Sequence, residues 1–326
     1  MKCLIIGGGS IGKRHIRNLQ QLGYTNIACL KRSYDSVFET ENKVKVITDP
    51  EAVDSFIPDV VFICTPTSLH TEGIAIAARN NAAIFMEKPL IHNEAALKDA
   101  TTLLQNYPQT FFIGFMLRYH PLIKEIQSLL WQHTLGAVYC ARFEFGSYLP
   151  YWHPWEDHTT GYAARKELGG GVINTITHEM DLVLSLFGIP ETVSCTAANF
   201  GKLNIDVEEI AEAVFTYSDK LVTIHVDYLQ KDYDRQIKIL CDEGSIVWNW
   251  HENRIAIKKQ NEEIRYFELK DFDVNQLYLD ELIDFMALAA NKQTHHPLDF
   301  NYAVENTKML LHMHASVETG RKVEIK

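Results

Sequence analysis

Apolar runs without polar interruption alternate with helical patterns through the first third of the chain. Cys3, Leu4, Ile5 and Ile6 form the first run, and Ile16, Leu19 and Leu22 follow it at helical spacing. Further strands are expected at 26–30, 44–47, 59–64, 82–86 and 110–115, with helices at 50–56, 68–79 and 93–105 between them. Strands that are apolar on both faces and alternate with helices predict a parallel, doubly wound sheet. From about residue 121 the period shortens to two. Segments 135–145, 192–198, 208–217, 221–228, 235–241, 245–250, 254–259 and 263–269 read as strands, several separated by turn signals such as Asp242, Glu243 and Gly244, so a mainly antiparallel sheet is expected. Helical patterns at 274–291 and 301–319 close the chain. The expected class is α/β, with one domain over 1–120 and an α+β domain over 121–326.

The first strand runs into Gly7, Gly8, Gly9, Ser10, Ile11 and Gly12 and then into a helix, the context that a dinucleotide-binding G-x-G-x-x-G motif requires. Gly7 permits the tight turn, Gly9 lets a pyrophosphate approach the backbone, and Gly12 brings helix against strand. The first domain is therefore expected to be a Rossmann domain. An acidic residue at the end of the second strand would read the ribose 2'-hydroxyl of NAD; this chain has Lys31, Arg32 and Ser33 instead, which favours NADP(H) over NAD(H). A solvated basic loop end is the alternative reading. Ligands of such sheets bind beyond the carboxyl ends of the strands, where Thr65, Pro66, Thr67 and His70, Glu87 and Lys88, and Arg118 are expected.

Composition narrows the partners. With 46% hydrophobic and 22% charged residues, the 326-residue chain can form two cores, and no apolar run approaches the ~20 residues of a membrane span. A net charge of -11 argues against general affinity for nucleic acid or anionic membrane, so an anionic ligand must be held locally. The six cysteines are far apart and form no CxxC pair, and the amino terminus reads as a strand rather than a signal peptide. Reduced thiols and a cytoplasmic location are expected.

A second polar constellation lies in the second half. After Gly169, Gly170 and Gly171, one continuous helix would place Asn174, His178 and Asp181 on a single face, opposite Ile173, Ile176, Met180, Val183 and Leu184. Just before it, Trp152 and Trp155 with Tyr148, Tyr151 and Tyr162 are mixed with His153, Asp157, His158 and Arg165. Aromatic faces stack on sugar rings while the polar heads reach hydroxyls, so a sugar or polyol pocket is expected, with Trp152, Tyr162 and Arg165 in contact with substrate. An aromatic-rich oligomer contact is the alternative. No metal site is expected, because nothing imposes ligand geometry on His153, Asp157 and His158.

The glycine loop, the run Glu87-Lys88-Pro89 and the stretch from Gly169 to Asp181 together resemble the Gfo/Idh/MocA family of oxidoreductases, over essentially the whole chain. The resemblance implies a Rossmann domain followed by an α+β domain with a large open sheet whose exposed face makes homodimers or homotetramers. It implies hydride transfer between nicotinamide and a sugar, polyol or related carbon, in the looser part of the likeness within bacterial surface-sugar pathways. Lys88 matches the active-site lysine of the E-K-P motif, and His178 matches the histidine that acts as acid or base. The chain departs from the pattern at Asn174, where many members carry aspartate. Asparagine can orient substrate or the His178 ring but supplies no charge to stabilise imidazolium. A non-catalytic regulator that binds dinucleotide and sugar is the alternative from another class.

Overall fold

The computed structural model describes residues 1–325. Its first sheet contains β1 (Cys3–Ile6), β2 (Ile27–Leu30), β3 (Lys45–Ile47), β4 (Val60–Ile63), β5 (Ala83–Met86) and β6 (Phe111–Ile113), all parallel, in the order β3-β2-β1-β4-β5-β6. Every residue of β1, β2, β4 and β5 is buried, which is why these strands read as uninterrupted apolar runs. The order reverses between β1 and β4, the place where a doubly wound sheet opens a crevice.

One compact unit comprises Met1–Phe115 together with Asn275–Thr307, and the other comprises Met116–Val274 and the residues from Lys308 onward. A single cut near residue 120 therefore does not describe the chain. The physical reason lies in the helix Val274–Ala290, whose Phe285 ring sits 5.4 Å from those of Phe62 and Phe85 and 5.9 Å from that of Phe112. Its apolar side completes the core of the first sheet, a through-space fact that local periodicity does not carry.

The second unit holds β7 (Val138–Gly146), β8 (Thr192–Ala198), β9 (Ile210–Thr216), β10 (Leu221–Asp227), β11 (Asp234–Cys241), β12 (Gly244–Asn249), β13 (Arg254–Lys259), β14 (Arg265–Glu268) and β15 (Val323–Glu324). They form one sheet in the order β14-β13-β12-β11-β7-β10-β9-β8-β15, antiparallel except for the β7 and β10 pair. Strict alternation marks one buried and one open face: in β9, Ala211, Ala213 and Phe215 are buried while Glu212 and Val214 are exposed. The helix His178–Phe187 packs on the buried face, where Phe187 meets the ring of Phe143 edge-on at 6.2 Å.

Two helices escape the sequence reading. Ser36–Asn42 is capped by Asp35, which accepts from the Phe38 amide, and Pro121–Trp131 begins at a proline and is capped by the His120 ring, whose Nδ1 accepts from the Leu122 amide at 3.2 Å. Among the described residues no helix is long and apolar enough to cross a membrane.

Candidate functional site

Each glycine of the first loop has a distinct physical requirement. Gly7 has φ +103, and a Cβ there would lie 2.7 Å from the Cys64 carbonyl oxygen; at Gly12 it would lie 2.0 Å from the Gly7 oxygen. A Cβ on Gly9 would meet nothing within 4 Å, which leaves room for a group outside the chain. The helix Ser10–Gln21 that follows has no side-chain cap and no acidic residue in its first turn, so its first amides, at Ser10 and Ile11, suit a diphosphate. The residues present thus fit the dinucleotide that the motif implies.

At the end of β2 the cations divide. Lys31 Nζ bonds Asp35 at 2.7 Å and lies 3.9 Å from the centre of the Phe38 ring, while Arg32 and Ser33 are exposed. Lys31 is thus paired within its own loop, with Arg32 the more exposed cation beside it. Lys13 Nζ, 5.7 Å from the same ring, is a neighbour that the motif alone did not flag.

Beyond β4 and β5 the expected contacts also divide. Thr65 lies beside Gly7, and its Oγ1 is buried with no partner among the described residues; Pro66 and Thr67 follow it into a short 3-10 turn. His70 is buried, with each ring nitrogen 3.0 Å from a carbonyl oxygen, Nδ1 from that of Leu90 and Nε2 from that of Thr65. Burial pushes its imidazolium below the usual histidine range, so the ring stays neutral and donates to one carbonyl at a time. It ties the two strand ends together and has no polar atom left for cofactor. Glu87 likewise is taken: His15 Nε2 donates to Oε1 at 2.7 Å. Burial pushes the Glu87 carboxyl up, but the His15 bond and the nearby charges of His15 and Lys88 outweigh it and hold the acid below its usual value. Lys88, half-buried, stands between Glu87 and Pro89, to which it is joined by a cis peptide bond.

In the second unit the expected helix is interrupted. One turn, Val172–Thr175, is followed by Ile176 at φ -97 and ψ 62, and a new helix starts at His178. Val172, Ile173, Thr175, Ile176 and Thr177 are all β-branched, which disfavours helix through this stretch. Asn174 therefore does not share a helix face with His178 and Asp181. Asn174 donates from Nδ2 to the Gly170 carbonyl at 3.1 Å and accepts from His314 Nε2 at 2.9 Å, so it orients neither a ligand nor His178 by these bonds. Aspartate here would turn a carboxylate oxygen onto the Gly170 carbonyl, a local reason for the amide. His178 is half-buried at the first position of its helix.

The next turn is locked by two buried ion pairs. Asp181 is 0% exposed and accepts from Arg118 Nε at 2.9 and 3.0 Å, with Nη2 at 2.8 Å from Oδ1. Arg118, expected on substrate, thus forms a buried ion pair through its Nε. Glu179, 2% exposed, lies 2.8 Å from Arg235 Nε, whose guanidinium also sits 4.3 Å from the centre of the Phe145 ring. Both acids occupy the first turn, where the helix dipole adds to their stability.

The aromatic loop is held from below. Trp152 Nε1 donates to Ser147 Oγ at 2.8 Å, and its ring meets Tyr228 edge-on at 5.4 Å. Tyr162 is half-buried, whereas Arg165 is exposed and paired with Glu167 at 2.6 Å. A Cβ at Gly170 would lie 2.2 Å from the Tyr162 oxygen and one at Gly171 2.4 Å from Glu208 Oε1, so these glycines serve close packing. Glu208, absent from the sequence reading, accepts from the Ile173 amide at 3.1 Å, and burial pushes its carboxyl above the usual range.

Residues 1–115 match an oxidoreductase family with an NAD-binding Rossmann fold, and residues 123–247 match the GFO/IDH/MocA C-terminal domain. An uncharacterized oxidoreductase of Bacillus subtilis is 23% identical over 252 residues, covering 74% of this chain and 71% of that protein. Inositol 2-dehydrogenase of Rhizobium meliloti is 24% identical over 255 residues, 74% of each chain. In fold, the chain is similar to levoglucosan dehydrogenase solved with NADH and levoglucosan, at TM-score 0.88 and 16% identity over 100% of this chain and 99% of that one.

Proposed function

Because the chain belongs to the Gfo/Idh/MocA family of NAD-binding oxidoreductases, we propose that it is an NAD(P)-dependent dehydrogenase or reductase acting on a CH-OH group of a sugar, polyol or sugar-derived carbonyl. The observation that carries this reading is the glycine loop, open at Gly9 and closed by contact at Gly7 and Gly12, with Lys88 at the end of β5 in the same unit. The dinucleotide, when bound, supplies or takes up the hydride. The chain supplies the proton handling: Lys88 Nζ donates to the oxygen of the reacting carbon, and the His178 imidazole takes up or returns the proton. Trp152, fixed by Ser147 and Tyr228, and Tyr162 offer aromatic faces to a sugar ring. Absorbance of the reduced nicotinamide across a panel of sugars, polyols and their keto forms tests the proposal. Turnover with at least one class is expected; tight cofactor binding with no turnover on any would favour a non-catalytic sensor.

Within this reading, Arg32 selects NADP(H). With Lys31 held by Asp35, Arg32 is the exposed cation at the end of β2, and a bidentate bond from arginine to a 2'-phosphate is strong. Arg32→Ala is expected to weaken NADPH binding about tenfold or more and NADH binding about twofold at most. Equal losses for both cofactors, measured by fluorescence titration, would defeat the assignment.

The open face of the second sheet is the homo-oligomer contact of this proposal. Glu212, His225 and Glu144 stand in one row across β9, β10 and β7, and Arg142 and Lys238 in the next, beside exposed Val214, Leu221 and Leu240. A row of two carboxylates about the His225 cation, net acidic, next to a basic one is self-complementary about a two-fold axis. Light scattering should find a dimer or tetramer, and R142E/K238E should dissociate it; a monomeric parent chain would contradict the assignment.

A further inference from the structure

We propose that His15 is a positioning residue for Lys88, acting through Glu87; this rests on the reading of Lys88 as a proton-handling group. His15 lies three residues past Gly12, in the helix that begins at the glycine loop, yet none of its surface is exposed. Its ring packs against Phe85 at 4.9 Å and Phe62 at 5.4 Å, and its Nε2 reaches out of that apolar pocket to Glu87 Oε1 at 2.7 Å. An apolar ring would fill the same space without the cost of burying a polar one, so packing alone does not account for histidine here. The bond joins the helix of the glycine loop to the residue immediately before Lys88.

Two consequences follow for Lys88. The turn that carries it is fixed on its amino-terminal side by His15 through Glu87, and beyond it the Leu90 carbonyl lies against His70. The Glu87 carboxylate is also kept in one place. Without its histidine donor it is free to turn toward the adjacent Lys88 ammonium, lower its nucleophilicity and pull it from its position.

The test uses the full chain carrying H15F, which preserves an aromatic ring between Phe62 and Phe85, or H15Q, whose amide can still donate. Acylation of Lys88 by an activated ester is followed against pH by mass spectrometry, beside kcat, KM and cofactor affinity. H15F is expected to move the acylation midpoint to higher pH and slow the reaction at neutral pH about fivefold, the effect of an ion pair at the protein surface. H15Q should stay within about twofold of the parent, and E87A should abolish the H15F effect in the double variant. A folded H15F whose Lys88 profile matches the parent overturns the proposal. Should H15F not fold, E87Q carries the test: with His15 holding the carboxylate off Lys88, removing its charge is expected to change acylation by less than about twofold, and a gain of about fivefold, the mark of a carboxylate already acting on Lys88, overturns the proposal. A parent chain that turns over no sugar would sink the enzyme reading yet leave the acylation result standing.

Discussion

Asp181→Ala is expected to cost the second unit about 3 kcal/mol of stability, because it takes the carboxylate acceptor from the Arg118 guanidinium and empties a fully buried site. Arg118→Ala should cost a similar amount by taking the Nε donor from the buried Asp181 carboxylate. Replacing both by apolar residues of similar volume should restore much of the loss, since the pair gains little over well-packed hydrocarbon once desolvation is counted. Urea unfolding followed by circular dichroism measures all three. Single variants within about 1 kcal/mol of the parent would show that Arg118 is not committed to Asp181 as the geometry indicates. In the proposed mechanism the same pair holds the turn that follows His178.

Lys88→Met and His178→Asn are each expected to lower kcat by about 10² to 10⁴, the usual contribution of a placed proton donor or acceptor, with cofactor affinity within about threefold of the parent. Their pattern should differ from that of H15F, which acts on Lys88 at second hand. If either variant retains full kcat on a substrate that the parent turns over, that residue leaves the proposed machinery. If cofactor affinity collapses instead, the residue belongs to nucleotide binding.

The parts of this fold that were legible in the sequence are those with a local cause. The β1 run, the glycine spacing and the alternation of β9 each leave a period or a backbone demand within a few residues, and the structure places them within one or two residues of expectation. Illegible features are pairings across the chain. Arg118 finds Asp181 at a separation of 63 residues, His15 finds Glu87 at 72 and His314 finds Asn174 at 140. Each took a polar residue that motif reasoning had aimed at a ligand and gave it a partner within the protein. Lys31 is a nearer case, since Asp35 stands only four residues on, close enough to pair within one loop. The interruption at Ile176 was also visible, in a β-branched run that amphipathic spacing alone does not weigh.

Transfer of an isotopic label tests the central claim most directly. The chain is incubated with nicotinamide dinucleotide deuterated at C4 and with each keto sugar of the panel, and the products are read by mass spectrometry. Deuterium appearing on the carbon that bears the new hydroxyl, in the parent chain and about 10² to 10⁴ more slowly in Lys88→Met, is the result the account predicts. Saturable cofactor binding with no deuterium on any product would contradict it.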